Sequence, residues 1–149
     1  MGKKLILEKF CRKYRTRLEG CFDVLTIMQP YASMIVQGVK EYEFRSYPLP
    51  EHFIGEPILI HAGARILKHK VEVSEEIYNY YLNEARKNDL FKCIIGVVVF
   101  GESEKSEILP FTTYRWPVRE FRKICKPIRN VRGNQKIWKL GFSSPIKTE

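Results

Sequence analysis

The run Cys93-Ile94-Ile95-Gly96-Val97-Val98-Val99-Phe100 is rich in β-branched residues. It predicts the strongest strand of the chain. Pro57-Ile58-Leu59-Ile60-His61-Ala62 reads as a second buried strand and Val24-Leu25-Thr26-Ile27 as a short third. Pro30 suits a first helical position, where its missing N–H is not needed. The helix it starts carries Ala32 to Val36 and is closed by Gly38, since a left-handed terminal residue costs glycine little. From Lys40 to Tyr47 the pattern alternates: Tyr42 and Phe44 share one strand face, and Glu41, Glu43 and Arg45 share the other. Ser74 before Glu75 and Glu76 marks a helix start, and Ile77, Tyr81, Leu82 and Ala85 recur at helical spacing up to about Asn88. Phe111 to Trp116 is a weaker strand, ended by Pro117. Pro127-Ile128 and Gly133 read as turns, and Ile137 to Leu140 as the last strand. This order predicts an α+β fold with a closed or nearly closed sheet.

Composition narrows the picture. The 149 residues suit one domain, and 44% hydrophobic content argues against long disorder. The net charge is +9, which favours polyanionic partners. That charge sits at the two ends. In residues 1–20 seven bases face two acids. From Arg115 to Lys139 nine bases face Glu120 alone, whereas acids outnumber bases in between. Residues 1–20 are therefore read as a basic N-terminal extension to a domain over 21–149. The first residues are charged too soon for a secretory leader, and no apolar stretch spans a bilayer. The cysteines, Cys11, Cys21, Cys93 and Cys125, form no C-x-x-C pair and no zinc spacing with a histidine. The expectation is an intracellular protein, cytoplasmic or nuclear, with reduced thiols, no membrane contact and no metal. The absence of nucleotide-loop, dinucleotide and nucleophile-elbow motifs leaves no cofactor expected.

The chemistry concentrates in Gln29-Pro30-Tyr31-Ala32-Ser33 and Gly38-Val39-Lys40-Glu41-Tyr42-Glu43-Phe44-Arg45-Ser46. Glu43 and Arg45 are two apart on a strand and share a face, with Lys40 at its mouth. One reading is a solvated salt-bridge ladder. The other is a cleft in which a lysine, a carboxylate and a guanidinium converge.

Gly38, Lys40, Glu43 and Arg45 fit the pattern G-x-K-x-x-E-x-R, which resembles the signature of the ASCH domain. The Gln-Pro-Tyr-Ala-Ser segment is similar to that family's first helix, and Ile58 to Ala62 to its next strand. Pro127-Ile128 with Gly133-Asn134-Gln135-Lys136-Ile137-Trp138-Lys139-Leu140 is similar to its closing segment, especially to the version in the eukaryotic thyroid-receptor coactivator. The resemblance covers about residues 22–140. It implies a PUA-like β-barrel with helices packed at its ends and a cleft at the barrel mouth. It also implies RNA or DNA, or a modified nucleoside, as partner. One hydrolase of the group acts on acetylated cytidine and carries a threonine soon after the lysine position. Here Glu41, Tyr42 and Glu43 stand there instead.

The leading expectation is a nucleic-acid binding module for RNA. Lys40 and Arg45 would anchor a phosphate or base edge, and Glu43 would orient them. Tyr31 and Tyr47 would flank a base, Trp116 would stack beside Arg115, and Arg119, Arg122, Arg129 and Arg132 would follow the backbone. His61 would either be a core histidine satisfied by backbone or reach into the cleft. The alternative is a small hydrolase of acylated cytidine or RNA, with Glu43 as general base and Lys40 stabilising negative charge.

Overall fold

The computed structural model describes residues 20–70, 73–108 and 111–142; apart from Gly20, the basic extension expected over 1–20 lies outside them. The chain runs β1 (Gly20–Gln29), α1 (Tyr31–Val36), β2 (Tyr42–Arg45), a 3-10 turn (Glu51–Phe53), β3 (Pro57–Ile66), α2 (Glu75–Lys87), β4 (Cys93–Phe100), β5 (Glu104–Ile108), β6 (Phe111–Ile128) and β7 (Trp138–Phe142). The strands form one mixed sheet in the order β2-β6-β4-β3-β1-β7, with β5 also paired to β6. Among the described residues only β1 and β3 run parallel; the other ladders are antiparallel. Among the described residues no ladder joins β2 to β7, so the sheet is open where a closed barrel was expected.

The two central strands are buried on both faces, which is why they read as continuous apolar runs. Alternation sends Ile58, Ile60 and Ala62 of β3 into one core, which also contains α1, and Leu59 into a second. On β4 the first core takes Cys93 and Ile95, then Val98 and Phe100. The parity changes at Gly96, where the register against β6 shifts. A Cβ on Gly96 would lie 2.6 Å from both the Arg122 carbonyl oxygen and Val36 Cγ1, so glycine lets α1 lie this close to the sheet. Every residue of α1 is buried, and the helix lies against β1, β3, β4 and β6 rather than at a sheet end. Burial also holds the Cys93 thiol up, to about 11.

Caps follow the sequence closely. Gly38 takes φ +77° and closes α1. Ser74 Oγ accepts from the Ile77 N–H at the start of α2. Pro30 stands one place before α1, and the buried Gln29 side chain acts as the cap. Its Oε1 accepts from Ser33 N–H, and its Nε2 donates to Ser33 Oγ and to the Leu90 carbonyl.

The expected stop at Pro117 does not occur. β6 runs on to Ile128 and hands over at that residue: Pro117 is the last partner of β2, and Val118 is the first partner of β4. The missing proline N–H therefore falls between two ladders, where neither loses a bond. Pro127-Ile128 likewise belongs to the end of this strand, not to a turn. The polar edge strand β5 has no apolar alternation and left no signal in the sequence.

Candidate functional site

Lys40, Glu43 and Arg45 meet at the mouth of β2, and they are not a solvated ladder: Lys40 is 6% and Glu43 7% exposed. The Arg45 guanidinium grips Glu43 Oε2 through Nε (3.2 Å) and Nη2 (2.9 Å). Glu43 Oε1 accepts from the Phe44 N–H (3.2 Å) and stands 3.6 Å from Lys40 Nζ. Lys40 Nζ donates to the Tyr42 carbonyl (2.6 Å) and lies over the rings of Phe44 and Tyr31, 5.0 and 5.4 Å from their centroids. Arg45 Nη2 also donates to the Thr26 carbonyl on β1 (2.7 Å). One guanidinium thus draws β2, at one end of the sheet, against a strand near the other.

The cluster lines a cavity of about 430 Å³ with Tyr31, Phe44, Leu67, Lys70, Asn134 and Gln135, within the range of roughly 300–1,000 Å³ usual for ligand sites. A second cavity of about 710 Å³ adjoins it and shares Thr26, Met28, Asn134 and Gln135. It also presents Arg65, Lys92 and Arg132, with no acid among the described residues that line it.

His61 anchors the segment between the two cavities. It is 1% exposed, and its Nε2 meets the Val131 carbonyl at 2.6 Å. A carbonyl only accepts, so the proton sits on Nε2 and Nδ1 accepts from the Thr26 hydroxyl (3.1 Å). Thr26 Oγ1 in turn accepts from the Asn134 N–H (3.4 Å). Gly133 passes over this chain so closely that a Cβ would come within 3.0 Å of His61 Cε1 and of Thr26 Oγ1. Desolvation lowers the His61 pKa from its ordinary 6.5, although the bond to Val131 opposes the shift. The unfolded chain then takes up this proton at a higher pH than the folded one, so stability is full above about pH 6.5 and falls as the pH drops through the folded value. Unfolding midpoints in urea between pH 7.5 and 5.5 should decline for the wild type, and less steeply for His61→Gln.

The other expected contacts scatter. Tyr31 lines the first cavity, and its hydroxyl accepts from the Lys70 N–H (2.9 Å). Tyr47 does not line it; its ring packs edge-on to Trp116. Trp116 is fully buried, donates through Nε1 to the Tyr47 carbonyl (3.2 Å) and has no face for a base. Arg115 precedes Trp116 on the strand and points to the opposite face, where it pairs with Glu104 (2.6 Å) and covers Tyr42. Arg119 borders another cavity, with Gly38, Tyr42, Pro117 and Phe121. Arg122 is half-buried on β6 and lines neither main cavity. Arg129 holds the end of α2, donating to the carbonyls of Asn88 and Asp89. Of the expected arginines beyond Arg45, only Arg132 borders the paired cavities. Thr26, Arg65, Lys70, Lys92, Asn134 and Gln135 were not foreseen as site residues. The closing Gly133-Asn134-Gln135 motif was the one available signal for any of them.

Among the described residues no group of three or more histidines, cysteines or acids stands together to hold a metal, and no helix is long and apolar enough to cross a membrane.

No protein-family model matches the chain, and no curated protein matches it. Among solved structures, the chain is similar to a mutant of the ZmASCH protein from Zymomonas mobilis. The identity is 16% and the TM-score 0.50, over 79% of this chain and 87% of that one. A likeness at that identity speaks for the fold.

Proposed function

We propose, from the premise that the chain folds as an ASCH domain, that it binds single-stranded RNA across the two adjoining cavities. One observation carries the reading: among the described residues, the two adjoining cavities are lined by Lys40, Arg45, Lys70, Arg65, Lys92 and Arg132 with Glu43 as the one acid, and that acid is clamped by Arg45. Such a surface attracts phosphates by releasing their counterions. The Tyr31 and Phe44 rings give the first cavity apolar walls for a base, and a base reaches such a recess only when it is unpaired. Side-chain amides of Asn134 and Gln135 suit the polar edge of a base and the ribose 2′-hydroxyl.

The clamp also weighs against the hydrolase reading. Of about four lone-pair sites on the Glu43 carboxylate, Arg45 and the Phe44 N–H take three, and Lys40 sits against the remaining side. A general base needs an oxygen turned to water; Glu43 is instead placed to hold two cations.

The test is fluorescence anisotropy with a labelled single-stranded RNA octamer. With five phosphate contacts, affinity should fall about 100-fold between roughly 50 and 200 mM salt. A DNA octamer and an RNA duplex should bind more weakly. Affinity that ignores salt, or no binding at low salt, sinks the proposal. Equal binding of the DNA octamer removes its RNA part.

A further inference from the structure

The two cavities differ in chemistry. The first has aromatic walls in Tyr31 and Phe44. Among the described residues, no tyrosine, phenylalanine or tryptophan lines the second. It offers three cations, Arg65, Lys92 and Arg132, with a floor of Gly63, Ala64 and Gly133. Rings suit a base face, whereas cations without rings suit a phosphodiester and sugar. Small residues leave the backbone open to close approach. Arg65 and Arg132 are exposed, and neither has a hydrogen-bond or ion-pair partner among the described residues. The half-buried Arg115 is engaged by Glu104 and the exposed Arg129 by Asp89; the exposed Arg86 and Arg119 line neither of these two cavities.

The rim is also built to stay in place. Lys92 and Asn130, both lining residues, hold positive φ values of 55° and 59°. The Val131 N–H ties their loops together by donating to the Lys92 carbonyl (2.9 Å). His61 fixes the same segment from below through the Val131 carbonyl. A lysine with positive φ is an uncommon conformation, and strain of this kind gathers where a binding surface is pre-formed.

We infer that the larger cavity is a backbone subsite: it holds the phosphate and ribose of the nucleotide next to the one whose base enters the first cavity. The inference rests on the RNA reading and sharpens it. The ligand is then a strand of at least two nucleotides crossing the Asn134–Gln135 divide, not a free nucleoside. Arg65 and Arg132 clasp the phosphate from β3 and from the segment before β7.

The experiment compares two double variants, each losing two positive charges. Arg65→Gln with Arg132→Gln empties the proposed clasp. Lys87→Gln with Lys105→Gln removes two exposed cations outside both cavities. Circular dichroism and urea midpoints confirm that each is folded. For the first, octamer affinity at about 100 mM salt should fall at least tenfold, and the log–log salt slope should shrink by about 1.4. For the second, affinity should stay within about twofold. If both variants weaken binding equally, or if the first leaves the octamer unaffected, the subsite is overturned while RNA binding stands. If the wild type itself binds no octamer at low salt, both readings fall.

Discussion

Replacing Arg45 by methionine should cost about 3 kcal/mol of stability and remove most of the affinity for RNA. The stem of the side chain survives as methionine, so packing is largely kept. What is lost is the fork between Glu43 Oε2 and the Thr26 carbonyl. Glu43 is then left buried with the Phe44 N–H and a lysine 3.6 Å away. Breaking a buried pair by removing one partner is far more costly than replacing both. The second half of the prediction follows from that asymmetry. Arg45→Met combined with Glu43→Gln should recover much of the lost stability, measured by urea unfolding, because the stranded charge is gone. It should not recover RNA binding, because the guanidinium that faces the cavity is still missing. If the double variant restores both properties, Arg45 acts only as scaffold. If Arg45→Met alone leaves stability within about 0.5 kcal/mol of wild type, the clamp is worth no more than a surface pair.

The legible part of the fold is the part governed by local rules. Gly38, Ser74 and the apolar runs of β3 and β4 announce themselves because a left-handed cap, a side-chain cap and a strand buried on both faces each impose a local residue choice. Lys40, Glu43 and Arg45 were legible as a spacing, since residues two apart on a strand share a face. Their burial was not, because charge alone favoured a solvated face. The other half of the site was hidden for a topological reason. Thr26 sits on β1, Arg65 and Lys70 on or after β3, Lys92 before β4, and Arg132 to Gln135 before β7. They converge only because β1 pairs in parallel with β3 and antiparallel with β7, and no local pattern states that pairing. Arg115 and Trp116 fail for the opposite reason. Strand parity forbids both from serving one face, and the strand expected over Phe111 to Trp116 already carried that restriction.

Trp116 carries the second large effect. Trp116→Ala should destabilise the protein by roughly 3–5 kcal/mol, as expected for removing a fully buried aromatic side chain. The ring lies edge-on to Tyr47 and to Phe100, with centroids 5.5 and 5.6 Å away, and its N–H satisfies the Tyr47 carbonyl. Alanine leaves a void among these rings and an acceptor without its donor. Trp116→Leu, which keeps apolar volume, separates the two roles an aromatic residue beside a basic stretch can play. A stacking platform would lose about 1–3 kcal/mol of binding with its ring. A core residue loses stability instead, and the folded protein keeps its surface. With Arg45 still held by Glu43 and Thr26, octamer affinity corrected for the folded fraction should stay within about twofold of wild type at low temperature, while the urea midpoint drops. An affinity loss of tenfold or more without a matching fall in stability would place Trp116 in the binding surface after all. The strand face it occupies, opposite Glu43 in the β2–β6 ladder, would then have to open for RNA to enter.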